Sequence, residues 1–210
     1  MSPVVSASGL VKSFGPTRAL DLFARCMSQV ALLAAGFVVA AALRPGSEET
    51  AGRAEQVLAL PVSRTSWLRS HLLVAAGGAA LVTASGGLGV GTSYAVVSRD
   101  ITQVARMLGA ALTTLPAVLL LGALAVALFG LSQRWAVLAW IGLAATVFIQ
   151  FFGPLLQLPG WILALSPLHH VPGLPAQRFD AGPLLALLLG AALLVALGIR
   201  SLRARDLASA

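Results

Sequence analysis

Charge is what this chain has least of. Only 10% of its 210 residues are Asp, Glu, Lys or Arg, against about 25% in a soluble domain. Lys12 is the sole lysine, and the glutamates are confined to Glu48, Glu49 and Glu55. Cys26 is the sole cysteine, which excludes an internal disulfide, a Cys-based zinc site and a CxxC redox pair. No HExxH, no GxSxG and no pair of acids within an apolar run is present, so no catalytic residue is assigned. ATP hydrolysis is not expected either. A P-loop needs its lysine in G-x-x-x-x-G-K-[ST] to reach the phosphates, and Lys12 is not in that pattern. No cofactor is implied, and no metal: His169 and His170 are adjacent but have no Asp, Glu or Cys beside them, and they read as interfacial polar residues.

What the chain has in excess is apolar sequence. It is 58% hydrophobic with a mean hydropathy of +0.91. Five apolar runs stand out, at about 27–43, 71–97, 107–131, 135–153 and 182–199. A helix needs about 17 to 25 such residues to cross a hydrocarbon core, and none of the runs alternates as a membrane β-strand would. The expectation is an all-α integral membrane protein in a lipid bilayer. The formal net charge of +7 does not point to nucleic acid, because the basic residues sit at the ends of the runs and form no stripe with aromatics.

Within the runs, "GGAALVTASGGLGVG" in the second predicts a close helix-packing face. Pro116 in the third predicts a bend, since proline removes a backbone donor. Thr83, Ser85, Thr92, Ser93, Thr113, Thr114, Thr146 and Gln150 are the polar groups inside the runs. Thr113, Thr114, Thr146 and Gln150 are the candidate pathway residues, although most such hydroxyls are expected to bond to backbone. No strongly charged residue lies deep in a run, which argues against ion coupling. Between the fourth and fifth runs, Pro159, Pro167, Pro172 and Pro175 block a continuous helix. One or two short interfacial helices on the outer side are expected there, with Trp161 at the interface.

A cytoplasmic C-terminus places Arg44, Arg53, Arg64, Arg69, Arg134, Arg200, Arg203 and Arg205 inside, and Arg99, Arg106 and Arg178 outside. That satisfies the positive-inside rule. Five spans then put Lys12, Arg18 and Arg25 outside with the N-terminus, which weakens the bias.

The polar stretch "RPGSEETAGRAEQVLALPVSRTSWLRS" interrupts the apolar sequence and falls on the cytoplasmic side. "SEETAGRAEQVLAL" predicts a short amphipathic helix. Ser47 would cap it, Glu48 and Glu49 would sit in its first turn, and Pro61 would end it. From the residues alone it is either a plain connector or a docking element for a cytoplasmic partner.

This segment resembles the permeases of type 2 ABC exporters, and most closely the drug and polyketide-antibiotic exporter permeases, which carry a similar "EE-x-x-GRAE-x-x-L-x-x-PVSR-x-x-W" pattern. "LFGLSQRWAVLAW" and "GPLLQLPGWILALSPLHHVPGLP" continue the resemblance, which covers about residues 28–206. It implies a bacterial plasma-membrane permease that exports a hydrophobic drug or antibiotic. It implies a separate ABC ATPase as partner, and a second permease half or a second copy of the chain. Glu48, Glu49, Arg53 and Glu55 become the residues that couple to the ATPase, through a cytoplasmic coupling helix. It also implies six spans per half, so the five runs would be the second to sixth, and the chain would be the end of a C-terminal half. Residues 4–21, "VVSASGLVKSFGPTRALD", are similar instead to the opening of an ABC ATPase. Residues 1–26 are therefore expected to be a poorly ordered remnant, and 27–206 the permease domain. The alternative to a transporter is a truncated or fused remnant, or a small membrane-interaction protein.

Overall fold

The computed structural model of the chain describes residues 16–50, 64–174 and 179–208. Among them the secondary structure is helical throughout. The helices are α1 (Pro16–Thr50), α2 (Arg64–Ser98), α3 (Thr102–Leu112), α4 (Leu115–Leu131), α5 (Val137–Phe152), α6 (Gly160–Leu163) and α7 (Ala181–Ala208), with 3-10 turns at Gln133–Ala136 and Pro167–His170.

Among the described residues, five stretches are long and apolar enough to cross a membrane: Arg25–Gly46, Arg69–Ser98, Thr102–Leu131, Gln133–Phe152 and Ala181–Leu202. They coincide with the five apolar runs. At 1.5 Å per residue the shortest is about 30 Å long, the thickness of a hydrocarbon core. Large apolar side chains point outward from them, among them Leu73, Leu81, Phe148, Leu189 and Leu193. That arrangement is costly in water and favourable in lipid.

The third run is the most enclosed. It is two helices rather than one. α3 stops at Leu112, and α4 restarts at Leu115 with Pro116 in its first turn. Proline has no N–H for the Leu112 carbonyl, so the helix cannot run through. The amides of Ala117 and Val118 both turn to the Thr114 carbonyl, at 3.1 and 3.2 Å. The expected bend is a local interruption of the hydrogen-bond ladder at Thr113 and Thr114, which both keep helical dihedrals.

α4 is the hub of the bundle. Val118, Leu121, Ala125 and Val126 pack with Ala31, Ala35, Val38 and Val39 of α1. On its other side α4 meets α7 backbone to backbone. A methyl on Gly198 would come 2.7 Å from the Val126 carbonyl oxygen, and one on Gly130 would strike the Gly198 carbonyl. The glycine-rich face of α2 works the same way against α3. A methyl on Gly87 would lie 3.2 Å from the Leu108 Cα, and one on Gly91 would lie 3.0 Å from the Val104 Cα. The run of small residues is thus the packing face that its composition predicts.

Two features of α1 differ from expectation. Residues 16–26, set apart in the sequence as part of a poorly ordered remnant, are helical and continuous with the first span. The Phe23 ring packs on Tyr94 with centroids 4.3 Å apart. At the other end, Ser47, the expected start of a new helix, lies within α1. α1 continues through Pro45 to Thr50. Local sequence favours a stop here, but Pro45 is fully buried and the Phe129 ring lies over Gly46. Packing overrides propensity.

The proline-broken loop folds as α6 and the second 3-10 turn, each starting next to a proline. Ser166 and Leu168 are buried against the bundle, whereas Trp161 is exposed, as an interfacial tryptophan would be.

Candidate functional site

The spans alternate in direction, so residues 46, 69, 131, 133 and 202 lie at one end of the bundle. Arg44, Arg69, Arg134 and Arg200 sit at or just inside the span ends on this side. The opposite end carries the turn at Arg99 and Asp100 and the loop with α6. Among the described residues, Arg44, Arg69, Arg134 and Arg200 share one end, as the sequence count grouped them.

At this basic end four elements converge. Phe129, near the end of α4, and Leu202 of α7 form a buried cluster with Leu43 of α1, Leu72 of α2 and Ile199 of α7. Phe129 is 1% exposed. Just beyond it, the Gln133 side-chain amide donates to the Gly46 carbonyl at 3.1 Å, joining positions 87 apart in sequence. Gln133 belongs to the tight turn between α4 and α5, where Ser132 accepts from the Arg134 amide. The start of the polar segment is therefore tied to the α4–α5 turn and backed by a ring that also touches α7. No spacing in the sequence signals this contact, because it joins residues from two separate runs.

Of the predicted coupling residues, Glu48 and Glu49 fall in the last turn of α1. Arg53 and Glu55 lie outside the described residues, as does most of the predicted coupling helix. Gly46 and Gln133 were not singled out in the sequence.

A groove of about 620 Å³ opens beside the cluster. α1 and α4 form its floor through Ala42 and Gly122, and α2 and α7 form its walls through Leu73 and Ala192, with Arg69 at its end. Its lining is otherwise aliphatic. The candidate pathway residues are elsewhere. The hydroxyls of Thr113, Thr114 and Thr146 donate to the carbonyls of Ala110, Ala111 and Gly142 at 2.8, 2.7 and 2.9 Å. Thr83 does the same to Ala79 at 2.8 Å. These hydroxyls are taken up by carbonyls three or four residues back, and they do not line the groove, nor does Gln150. Among the described residues no group of His, Cys, Asp and Glu could hold a metal. The His169 and His170 rings meet edge to face, and His170 Nδ1 lies 3.2 Å from the Ser166 carbonyl.

At the opposite end, Asp100 organises the turn between α2 and α3. Its Oδ1 accepts from the Thr102 hydroxyl at 2.7 Å and amide at 3.0 Å, and its Oδ2 from the Gln103 side chain at 2.8 Å. These bonds, the Thr102 hydroxyl foremost, hold the carboxyl below its ordinary value.

The family model described as "Multidrug efflux system permease Rv1217c, C-terminal domain" matches residues 6–203. The multidrug efflux system permease protein Rv1217c of Mycobacterium tuberculosis (strain ATCC 25618 / H37Rv) is 38% identical over 200 residues. The alignment covers 94% of this chain and 36% of that protein, so the chain spans about a third of the relative's length. The family match begins within the stretch that resembles an ATPase opening and crosses the expected boundary at residue 26, as α1 does.

Proposed function

The chain belongs to the family of multidrug efflux permease C-terminal domains, and from that premise we propose that it is the membrane part of an ABC exporter, without catalytic activity of its own. A separate ATPase binds at the basic end, which faces the cytoplasm. Residues 47–60 receive it, with Glu48, Glu49, Arg53 and Glu55 as its contacts. ATP binding there favours one of two arrangements of the bundle, and hydrolysis restores the other. The cargo is a hydrophobic drug or antibiotic, in keeping with the aliphatic spans. A second permease half completes the pathway.

One observation carries this reading. The Gln133 bond to Gly46, over the Phe129 ring, attaches the start of the docking segment to α4, α5 and α7 together. A push on residues 47–60 therefore reaches the centre of the bundle rather than bending a loose connector.

Co-purification tests it. The chain, tagged and expressed with its companion ATPase, should retain that ATPase in mild detergent. Glu48→Lys/Glu55→Lys should lower recovery by roughly tenfold or more, the scale of placing like charges in an interface. Equal recovery would remove residues 47–60 from the docking surface.

A further inference from the structure

The groove between α2 and α7 is separate from the proposed docking segment. Its lining on α7 runs from Ala191 to Ile199, about 12 Å of helix axis, so it starts at the basic end and stops near mid-depth. Leu73 on the α2 wall is 75% exposed although it lies within a span, so the groove is open sideways to hydrocarbon. Arg69 is the first residue of its span, at the depth of lipid head groups. It is exposed, and among the described residues it makes no hydrogen bond and no ion pair.

An apolar groove in a bilayer does not stay empty, since its walls would forfeit their dispersion contacts. A flexible alkyl chain fits the space. A guanidinium at the mouth matches phosphate by forked hydrogen bonds. Arg200, next to the groove-lining Ile199, adds to the field that draws anionic head groups.

We propose that this groove is a binding site for an anionic phospholipid, with one acyl chain between α2 and α7 and the phosphate on Arg69. The site needs only the folded chain in a membrane and does not depend on transport or on an ATPase. Native mass spectrometry of the purified chain, with equal amounts of phosphatidylglycerol and phosphatidylcholine, tests it. Phosphatidylglycerol adducts should dominate. Arg69→Gln should lower them roughly fivefold, the factor for one basic contact near a charged surface. Arg134→Gln, outside the groove, should leave them unchanged. Ala192→Phe, which fills the groove, should remove adducts of both lipids, and Ala196→Leu serves if Ala192→Phe loses its helical circular dichroism. Undiminished adducts in Arg69→Gln, equal binding of the two lipids, or a second copy of the chain in place of lipid would each overturn the proposal.

Discussion

Single residues set how closely the helices approach. Gly198 has no room for a side chain, because its first carbon would press on the backbone of α4. Gly36 has open space around it. Gly198→Ala should therefore destabilise the bundle by about 1–3 kcal/mol through overpacking, whereas Gly36→Ala should be neutral or stabilising by up to about 1 kcal/mol through helix propensity. Thermal unfolding in detergent should show a lower midpoint for Gly198→Ala alone. This distinction was not legible in the sequence. Both residues are glycines in apolar runs, and only the crossing of α4 and α7 separates them. The hydroxyls were more legible. Thr113, Thr114 and Thr146 bond to their own helices because a threonine three or four residues along reaches the carbonyl behind it.

The elements follow the sequence where local chemistry decides and depart from it where packing does. The interruption before Pro116 follows from a missing donor, which is visible in one letter. The five spans follow from run length. The continuation of α1 past Pro45 depends on Phe129 and Gln133, more than eighty positions away, and no local rule reaches that far. The tight turn between α2 and α3 rests on Asp100, and its ionised form makes the bonds. Its carboxyl sits below the ordinary 3.8, so its contribution is complete above that value and is lost as pH falls through the lower, folded value. Hydrogen exchange of the first turn of α3 should accelerate on acidification below about pH 4 relative to the intrinsic rate. Asp100→Asn should show no such transition. A wild-type turn equally protected through that range would contradict the role given to Asp100.

At the scale of the molecule, the chain is a multi-pass membrane protein with Arg44, Arg69, Arg134 and Arg200 at one end of its spans and Arg25, Arg99 and Arg106 at the other. The order of the runs and the arginines flanking them already contained that arrangement, since alternating spans admit only one grouping of their ends. What the sequence could not display is that the first of these ends also holds the buried cluster of Leu43, Leu72, Phe129, Ile199 and Leu202. There the described end of α1, the α4–α5 turn and α7 pack together. The proposed function has ATP hydrolysis by a partner transmitted through this end of the bundle to move an apolar compound. It is tested most directly in everted membrane vesicles that hold the chain, the remaining permease segment and the ATPase. ATP-dependent accumulation of a hydrophobic fluorescent drug should require the chain and be lost in Glu48→Lys/Glu55→Lys, while the isolated ATPase keeps its hydrolysis rate. Accumulation that is the same with and without this chain would contradict the account.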